Sequence, residues 1–397
     1  MPGVAEDGVI IVGAGPVGLV TAYGLARAGV PVTVLEAAHE VNDSPRAMVY
    51  HWSLHQDLDR LGLLADIERL GFRKDDYGYR VYATGETVTY DLDLLAGVTP
   101  HPYNIHLGQD ALCTLVLERL RELPGAAVHW GHRVTGVSQS AGGAGVAVDG
   151  PDGPSQHAAA WVVGCDGARS TVRRLLGLGF EGMTWDTRFV ATNVRFDFEA
   201  HGYTRSVFLM DDVHGAVIVK IDDTPLWRVT YAEDLSLPEE TIADRIDEHF
   251  AAILPGGGPY ELERFAGYRL HQRCAPQLRA GRVLLAGDAA HATNPTGGFG
   301  LTGGLFDAFA LIQALGAVAA GGAEQARLDE WAAERRRIFL EVASPAASRM
   351  KRTVYDSDAA AAHRVCDDLR AMIADPDALR ERLLFPAKLR SPAPAAA

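Results

Sequence analysis

Cysteine is scarce in this sequence. Four occur in 397 residues, at 113, 165, 274 and 366, and no two form a C-x-x-C pair. That spacing argues against a disulfide framework and fits reduced thiols. The histidines are scattered singly, so no metal-ligand spacing emerges. Basic charge is also short: 37 Lys and Arg face 51 Asp and Glu, a formal net charge of −14. Such a balance argues against a nucleic-acid or anionic-membrane partner. No secretory leader is expected, because Met1–Asp7 carries no basic side chain and the first apolar run already reads as a strand. A cytoplasmic protein is the expectation. The longest apolar helix, around residues 305–320, is interrupted by Asp307 and Gln313 and reads as too short to span a bilayer. No internal repeat is evident. What remains is ordinary globular composition, 48% hydrophobic and 22% charged. The length suggests two or three domains at roughly 150 residues each.

Glycine is placed with purpose. Val9–Val12 is an apolar strand candidate, followed by Gly13, Gly15 and Gly18 in a G-x-G-x-x-G pattern. A helix reading over 19–28 and a second strand at 32–35, ending in Glu36, complete a βαβ unit for an ADP moiety. Gly13 permits the turn, Gly15 lets backbone approach a pyrophosphate, and Gly18 lets helix pack on strand. The helix N-terminus supplies free N–H donors to the phosphates. Glu36 supplies an acidic oxygen for the ribose hydroxyls. Alone, this unit leaves FAD and NAD unresolved.

Two later segments resolve it. Residues 162–173 end a strand in D-G-x-x-S-x-x-R (Asp166, Gly167, Ser170, Arg173), and residues 283–291 run from an apolar strand into Gly287-Asp288-Ala289-Ala290-His291. A glycine-rich turn, 295–304, follows. In this order and spacing the set resembles the group A flavoprotein aromatic hydroxylases, the family of p-hydroxybenzoate and phenol hydroxylases, over roughly 9–331. The resemblance implies non-covalent FAD, with NADPH or NADH as co-substrate. It implies that Asp288 accepts from the ribityl hydroxyls, with an N-cap as its plainer role. Gly300, Leu301 and Thr302 then offer backbone amides at a helix start to the flavin N1–C2=O edge, where negative charge accumulates on reduction. Pro295 matches the proline beside the flavin ring, or is a turn proline. Phe299 and Thr302 depart from the family's usual residues, which leaves only backbone contacts there. Arg46 matches an arginine at the FAD phosphates, or is a solvent-exposed arginine. Gln109 matches a residue near the pyrophosphate, or is a helix-start glutamine. Asp166 touches FAD and Arg173 orders the pyridine-nucleotide region, while Ser170 caps the next helix.

The fold class expected is α/β: a Rossmann-like FAD-binding domain, a mostly antiparallel β-sheet substrate domain and C-terminal helices. Residues 1–75, 101–187 and 275–340 form the first, 76–100 and 188–274 the second, and 341–397 the helical segment. Tyr79 to Tyr90 reads as a hairpin turning at Thr84-Gly85, 106–120 as a helix, and 142–154 as turns around a short strand. Strands are expected across 189–231 and 262–270, with a helix at 240–254 between them. Helices over 301–320 and 323–352 brace the flavin domain or form a dimer contact.

The substrate pocket is less legible. The alternating strand 226–231 puts Trp227, Val229 and Tyr231 on one face, suited to a planar ring or to plain core. Trp227, Tyr231, His214 and Pro295 are the catalytic candidates, with Tyr203, Tyr268 and His51 as further polar ones. The resemblance implies that NAD(P)H reduces FAD and that O2 then gives a flavin C4a-hydroperoxide, which hydroxylates a phenol-like ring. The partners expected are a small aromatic substrate and O2, in a monomer or homodimer. A flavin halogenase is disfavoured, because all six tryptophans are isolated and no W-x-W exists. A flavin-dependent dehydrogenase or reductase, or a non-catalytic nucleotide-binding protein, are the competing readings.

Overall fold

A computed structural model describes residues 7–43 and 47–392. Eleven α-helices run among them: α1 (Pro16–Arg27), α2 (His55–Arg60), α3 (Leu64–Leu70), α4 (Gln109–Arg121), α5 (Thr171–Leu175), α6 (Ile242–Ile253), α7 (Phe299–Ala319), α8 (Ala326–Ile338), α9 (Ser344–Tyr355), α10 (Ala359–Ile373) and α11 (Pro376–Leu383).

A six-stranded, mostly parallel sheet organises one half. Its order is 279–280, 283–285, 161–164, 9–12, 32–35, 126–129, and only the 279–280 edge is antiparallel. Central strands of such a sheet are buried on both faces, so they read as continuous apolar runs: Val9, Ile10, Ile11 and Val12 are all buried. Helices α1 and α7 pack together so closely that a Cβ on Gly24 would lie 2.2 Å from the Ile312 side chain. The turn-rich segment 142–154 is more regular than its composition suggests. It belongs to an antiparallel meander of 133–139, 144–150 and 153–159.

An eight-stranded sheet forms the other half, in the order 291–292, 261–274, 181–195, 226–234, 216–220, 206–210, 76–81, 87–91. All its pairings are antiparallel except that of 206–210 with 76–81. The expected hairpin is present, with Gly85 at φ 71° in its turn. The outer face carries Val207, Leu209, Ile218, Trp227, Val229 and Tyr231 and is covered by α6 through Ile242, Ile246 and Phe250. The inner face carries Tyr79, Val88, Phe189 and Phe208 and is covered by Val354, Tyr355, Cys366 and Leu369 of α9 and α10. The last helices therefore close the inner face of this sheet, while α8 packs on the half built around the parallel sheet.

Two expectations from the sequence fail here. His106 does not open a helix; it ends the strand Asn104–His106, which pairs with both Val49–Tyr50 and Phe72–Lys74. These partners are distant in sequence, and α4 begins only at Gln109. The apolar helix also starts earlier than expected. At 21 residues α7 is long and apolar enough to cross a membrane, but 67% of its most apolar window is buried inside the protein.

Candidate active site

The glycine turn is built as its sequence demands. Gly13 has φ 107°, and a Cβ there would lie 2.5 Å from the Cys165 carbonyl oxygen. A Cβ on Gly18 would lie 2.0 Å from the Gly13 carbonyl oxygen. Gly15 differs: nothing lies within 4 Å of its would-be Cβ. The open space sits at the N-terminus of α1, where Pro16 leads the helix and no side chain caps it. Free N–H groups, a positive dipole end and room for a bulky anion therefore coincide. Glu36 closes one flank, its two oxygens accepting from Ala14 N (2.7 Å) and Ala38 N (2.8 Å). These features fit the ADP half of FAD. Charge-assisted bonds of this kind contribute about 1.5–3 kcal/mol. Replacing Glu36 by Ala is therefore expected to weaken FAD binding on the order of 10-fold or more, read by fluorescence titration of deflavinated protein.

The second cluster gathers at the start of α7. Gly287 (φ 59°) and Asp288 form the turn after the strand Val283–Leu285, and the Asp288 side chain is exposed. The half-buried Pro295 accepts from Gly298 N at 2.9 Å. Gly298 is the N-cap of α7 at φ 69°. The N–H groups of Phe299, Gly300 and Leu301 precede the first intrahelical bond, and Thr302 closes that first turn. The Thr302 hydroxyl turns back onto the Gly298 carbonyl at 3.0 Å. Its side chain is thus spent on the turn, leaving the backbone donors as what this helix end offers.

Below the turn lies a carboxylate that the sequence shows only as an interruption of an apolar helix. Asp307 is fully buried. It accepts from Gly287 N (2.9 Å) and Arg335 Nε (2.6 Å), and His291 Nε2 lies 2.8 Å away. Burial pushes its carboxyl up, but His291 and Arg335 outweigh burial and hold it at about 2. The signal available in sequence is a lone acid in an apolar helix, which must find partners if buried.

The D-G-x-x-S-x-x-R segment is arranged as a helix start. Asp166 accepts from Ser170 Oγ (2.5 Å), Thr171 N (2.6 Å) and Val172 N (3.1 Å), and Ser170 accepts from Arg173 N. Gly167 provides the left-handed turn at φ 76°. Arg173 is buried, donating to the Ala289 and Ala168 carbonyls and stacking on Phe180. It braces the segment after Asp288. Gln109 opens α4 as a half-buried residue. Arg46 lies outside the described residues.

A cavity of about 590 Å3 opens beside the α7 turn. At that end it is lined by His51, Gly297 and Phe299; its wall is the inner face of the large sheet through Tyr77, Tyr79, Tyr90 and Phe208. Leu369, Met372, Arg382 and Leu383 of α10 and α11 roof it. Arg382 donates to the Tyr79 hydroxyl (2.5 Å) and the Tyr90 hydroxyl (3.3 Å).

None of the four catalytic candidates lines this cavity: Pro295 stays in the turn before α7. Trp227 and Tyr231 point to the outer face, packed under α6, and His214 packs against Tyr82 at a centroid distance of 4.7 Å. The strand alternates as expected, but its aromatic side is core. Tyr203 belongs to the same outer core, whereas His51 does line the cavity. Tyr268 packs against the inner-face cluster without lining the cavity.

A nucleotide-binding α/β sheet joined to an antiparallel sheet that walls an aromatic cavity defines a two-part flavoprotein hydroxylase fold. The family model described as an FAD binding domain matches residues 6–345. The chain is 45% identical, over 95% of its length and 97% of the relative's, to 6-hydroxy-3-succinoylpyridine 3-monooxygenase of Pseudomonas putida. It is 43% identical to the para-nitrophenol 4-monooxygenase of a Pseudomonas species, covering 97% of this chain and 99% of that one. The crystal structure of p-nitrophenol 4-monooxygenase from Pseudomonas putida superposes with a TM-score of 0.94 at 44% identity, covering 97% and 98% of the two chains. The chain belongs to this FAD-binding family and is an FAD-dependent aromatic monooxygenase. The non-catalytic alternative falls with that finding.

Proposed function

We propose that the protein is a single-component monooxygenase that hydroxylates a single-ring phenol or hydroxypyridine, using NAD(P)H and O2. The observation that carries this reading is the aromatic cavity meeting the α7 turn. Bound FAD would supply the electron transfer from NAD(P)H and the activation of O2. The chain's own residues do the rest. Gly13, Gly15, Gly18 and Glu36 hold the ADP half. The α7 start places N–H donors where charge develops on the ring system, aided by the helix dipole. Tyr77, Tyr79, Tyr90 and Phe208 offer one aromatic wall to a planar substrate and, with the roof from α10 and α11, exclude water, which would otherwise divert reducing power into H2O2. In this reading residues 1–75, 101–187 and 275–340 carry the flavin, 76–100 and 188–274 the ring, and the C-terminal segment 341–397 closes over it through α9, α10 and α11.

The relatives' named substrates, a nitrophenol and a hydroxylated pyridine, support a small polar ring as the class. The test is mass spectrometry of products from phenols, nitrophenols and hydroxypyridines incubated with enzyme, NADPH or NADH, and heavy-isotope O2. Label in a hydroxylated ring supports the reading. Nicotinamide oxidation with no labelled product across the whole panel would refute it. Opening the wall should uncouple the reaction. Phe208→Ala is expected to keep nicotinamide oxidation while the fraction of turnovers yielding product falls severalfold, with H2O2 rising to match.

A further inference from the structure

His51 lies where the cavity meets the α7 turn, directly after the strand Val49–Tyr50. Its ring is 6% exposed and stacks on Phe299 at a centroid distance of 6.0 Å and 29°. Nε2 sits 3.1 Å from the Gly297 carbonyl oxygen. A carbonyl only accepts, so the proton of that bond is on Nε2. The imidazole is neutral at neutral pH: burial, with a contribution from Lys74, outweighs the Gly297 bond and lowers it to about 4. A neutral imidazole protonated at Nε2 has a lone pair at Nδ1. That atom is buried and has no partner among the described residues.

The tyrosines of the cavity wall are engaged by contrast. Asn104 Nδ2 donates to the Tyr77 hydroxyl at 2.7 Å. Arg382 serves those of Tyr79 and Tyr90. Trp52 Nε1 is spent on the Leu383 carbonyl at 3.0 Å. His51, a lining residue at the end that meets α7, thus carries an unanswered acceptor, and a buried polar atom is costly until something donates to it.

We propose that His51 Nδ1 accepts a hydrogen bond from the hydroxyl of the bound aromatic substrate and so fixes which ring carbons face the flavin. The role rests on the cavity being the ring site argued above. Acceptance by Nδ1 draws the hydroxyl proton toward nitrogen and leaves electron density on the phenol oxygen, which enriches the ring ortho and para to it. The proton stays shared along that bond, so no further acid or base is required. The sequence gives no local sign of this role. Gly297, which sets the tautomer, is 246 residues away and reaches His51 only through the α7 turn.

The test compares two probes on FAD-loaded enzyme without reductant: 4-nitrophenol, at a pH where it is un-ionised, and nitrobenzene. Wild type is expected to prefer the phenol on the order of 10-fold or more, the worth of one hydrogen bond to a buried acceptor. His51→Gln keeps a donor near the Nε2 position for Gly297 but has no acceptor at the Nδ1 position, so its preference should fall to about unity while nitrobenzene affinity holds. His51→Asn, whose amide oxygen falls near the Nδ1 position, should restore part of the preference. A His51→Gln enzyme that binds both probes with wild-type preference overturns the role, and a flavin absorbance shift in that same variant would assign the imidazole to the flavin instead. Binding of neither ring to wild type would sink the cavity assignment and this role together.

Discussion

Gly15→Ala is expected to fold with unchanged stability and to lose FAD. The residue has φ −76° and ψ 177°, extended backbone that alanine adopts freely, and its new Cβ meets nothing within 4 Å. The methyl instead enters the space beside the α1 N-terminus, which the pyrophosphate needs for close contact with backbone N–H groups. A loss on the order of 100-fold in FAD affinity, about 2.7 kcal/mol, is the expected scale. Gly18→Ala should fail in a different way. Its Cβ would overlap the Gly13 carbonyl oxygen at 2.0 Å, so helix and strand must separate whether or not FAD is bound. Overpacking of that kind costs about 1–3 kcal/mol of fold stability. Urea unfolding and FAD titration of both deflavinated variants separate the two cases. Wild-type FAD affinity in Gly15→Ala would remove the pyrophosphate from this turn.

The contrast explains why the flavin side is legible in sequence. Gly13 and Gly18 answer demands of backbone against backbone and Gly15 one of backbone against ligand, and such demands leave a fixed spacing. Glu36 and the Asp166–Ser170 cap are local in the same sense, each meeting donors on its own turn or the adjacent strand. The substrate side is set by partners far apart in sequence. Alternation sorts Trp227, Val229 and Tyr231 onto one face, but which face meets the cavity depends on where α6 lands. That helix takes their side, with Ile242, Ile246 and Phe250 facing it. The inner aromatic face needs α9 and α10 to define it as a wall, and the amphipathic pattern of those helices does not say what they cover. His106 misleads for the same reason: its pairing with Val49 and Phe72 outweighs any local helical tendency. Even so, the hairpin that contributes Tyr79 and Tyr90 is visible in the sequence as a hairpin, with only its function and its extension back to Tyr77 hidden.

Asp307→Asn is expected to cost about 3–5 kcal/mol, because it leaves Arg335 charged and without its carboxylate. Arg335 is 1% exposed and holds three parts of the fold at once, donating also to the Gly303 and Leu389 carbonyls at 3.1 and 2.7 Å. Its loss of orientation should also disturb Gly287, whose N–H points at the same carboxylate, so FAD binding should weaken alongside stability. The pH dependence has a definite sign. Folding holds this carboxyl at about 2 against an ordinary 3.8, so its contribution is present above 3.8 and is lost as pH falls toward 2. The gap is worth roughly 2 kcal/mol. Wild type should therefore lose that much more stability than Asp307→Asn across the acid window. A double variant, Asp307→Leu with Arg335→Met, separates charge from backbone pairing: it removes the buried charges together but leaves the Gly287 N–H and the Gly303 and Leu389 carbonyls without these partners, so only part of the stability should return. Urea unfolding at neutral pH and near pH 3 reads all of these outcomes, about half of the acid loss being expressed by pH 3. An Asp307→Asn protein within 1 kcal/mol of wild type would show that Arg335 finds compensation elsewhere and that this carboxylate does not hold the turn.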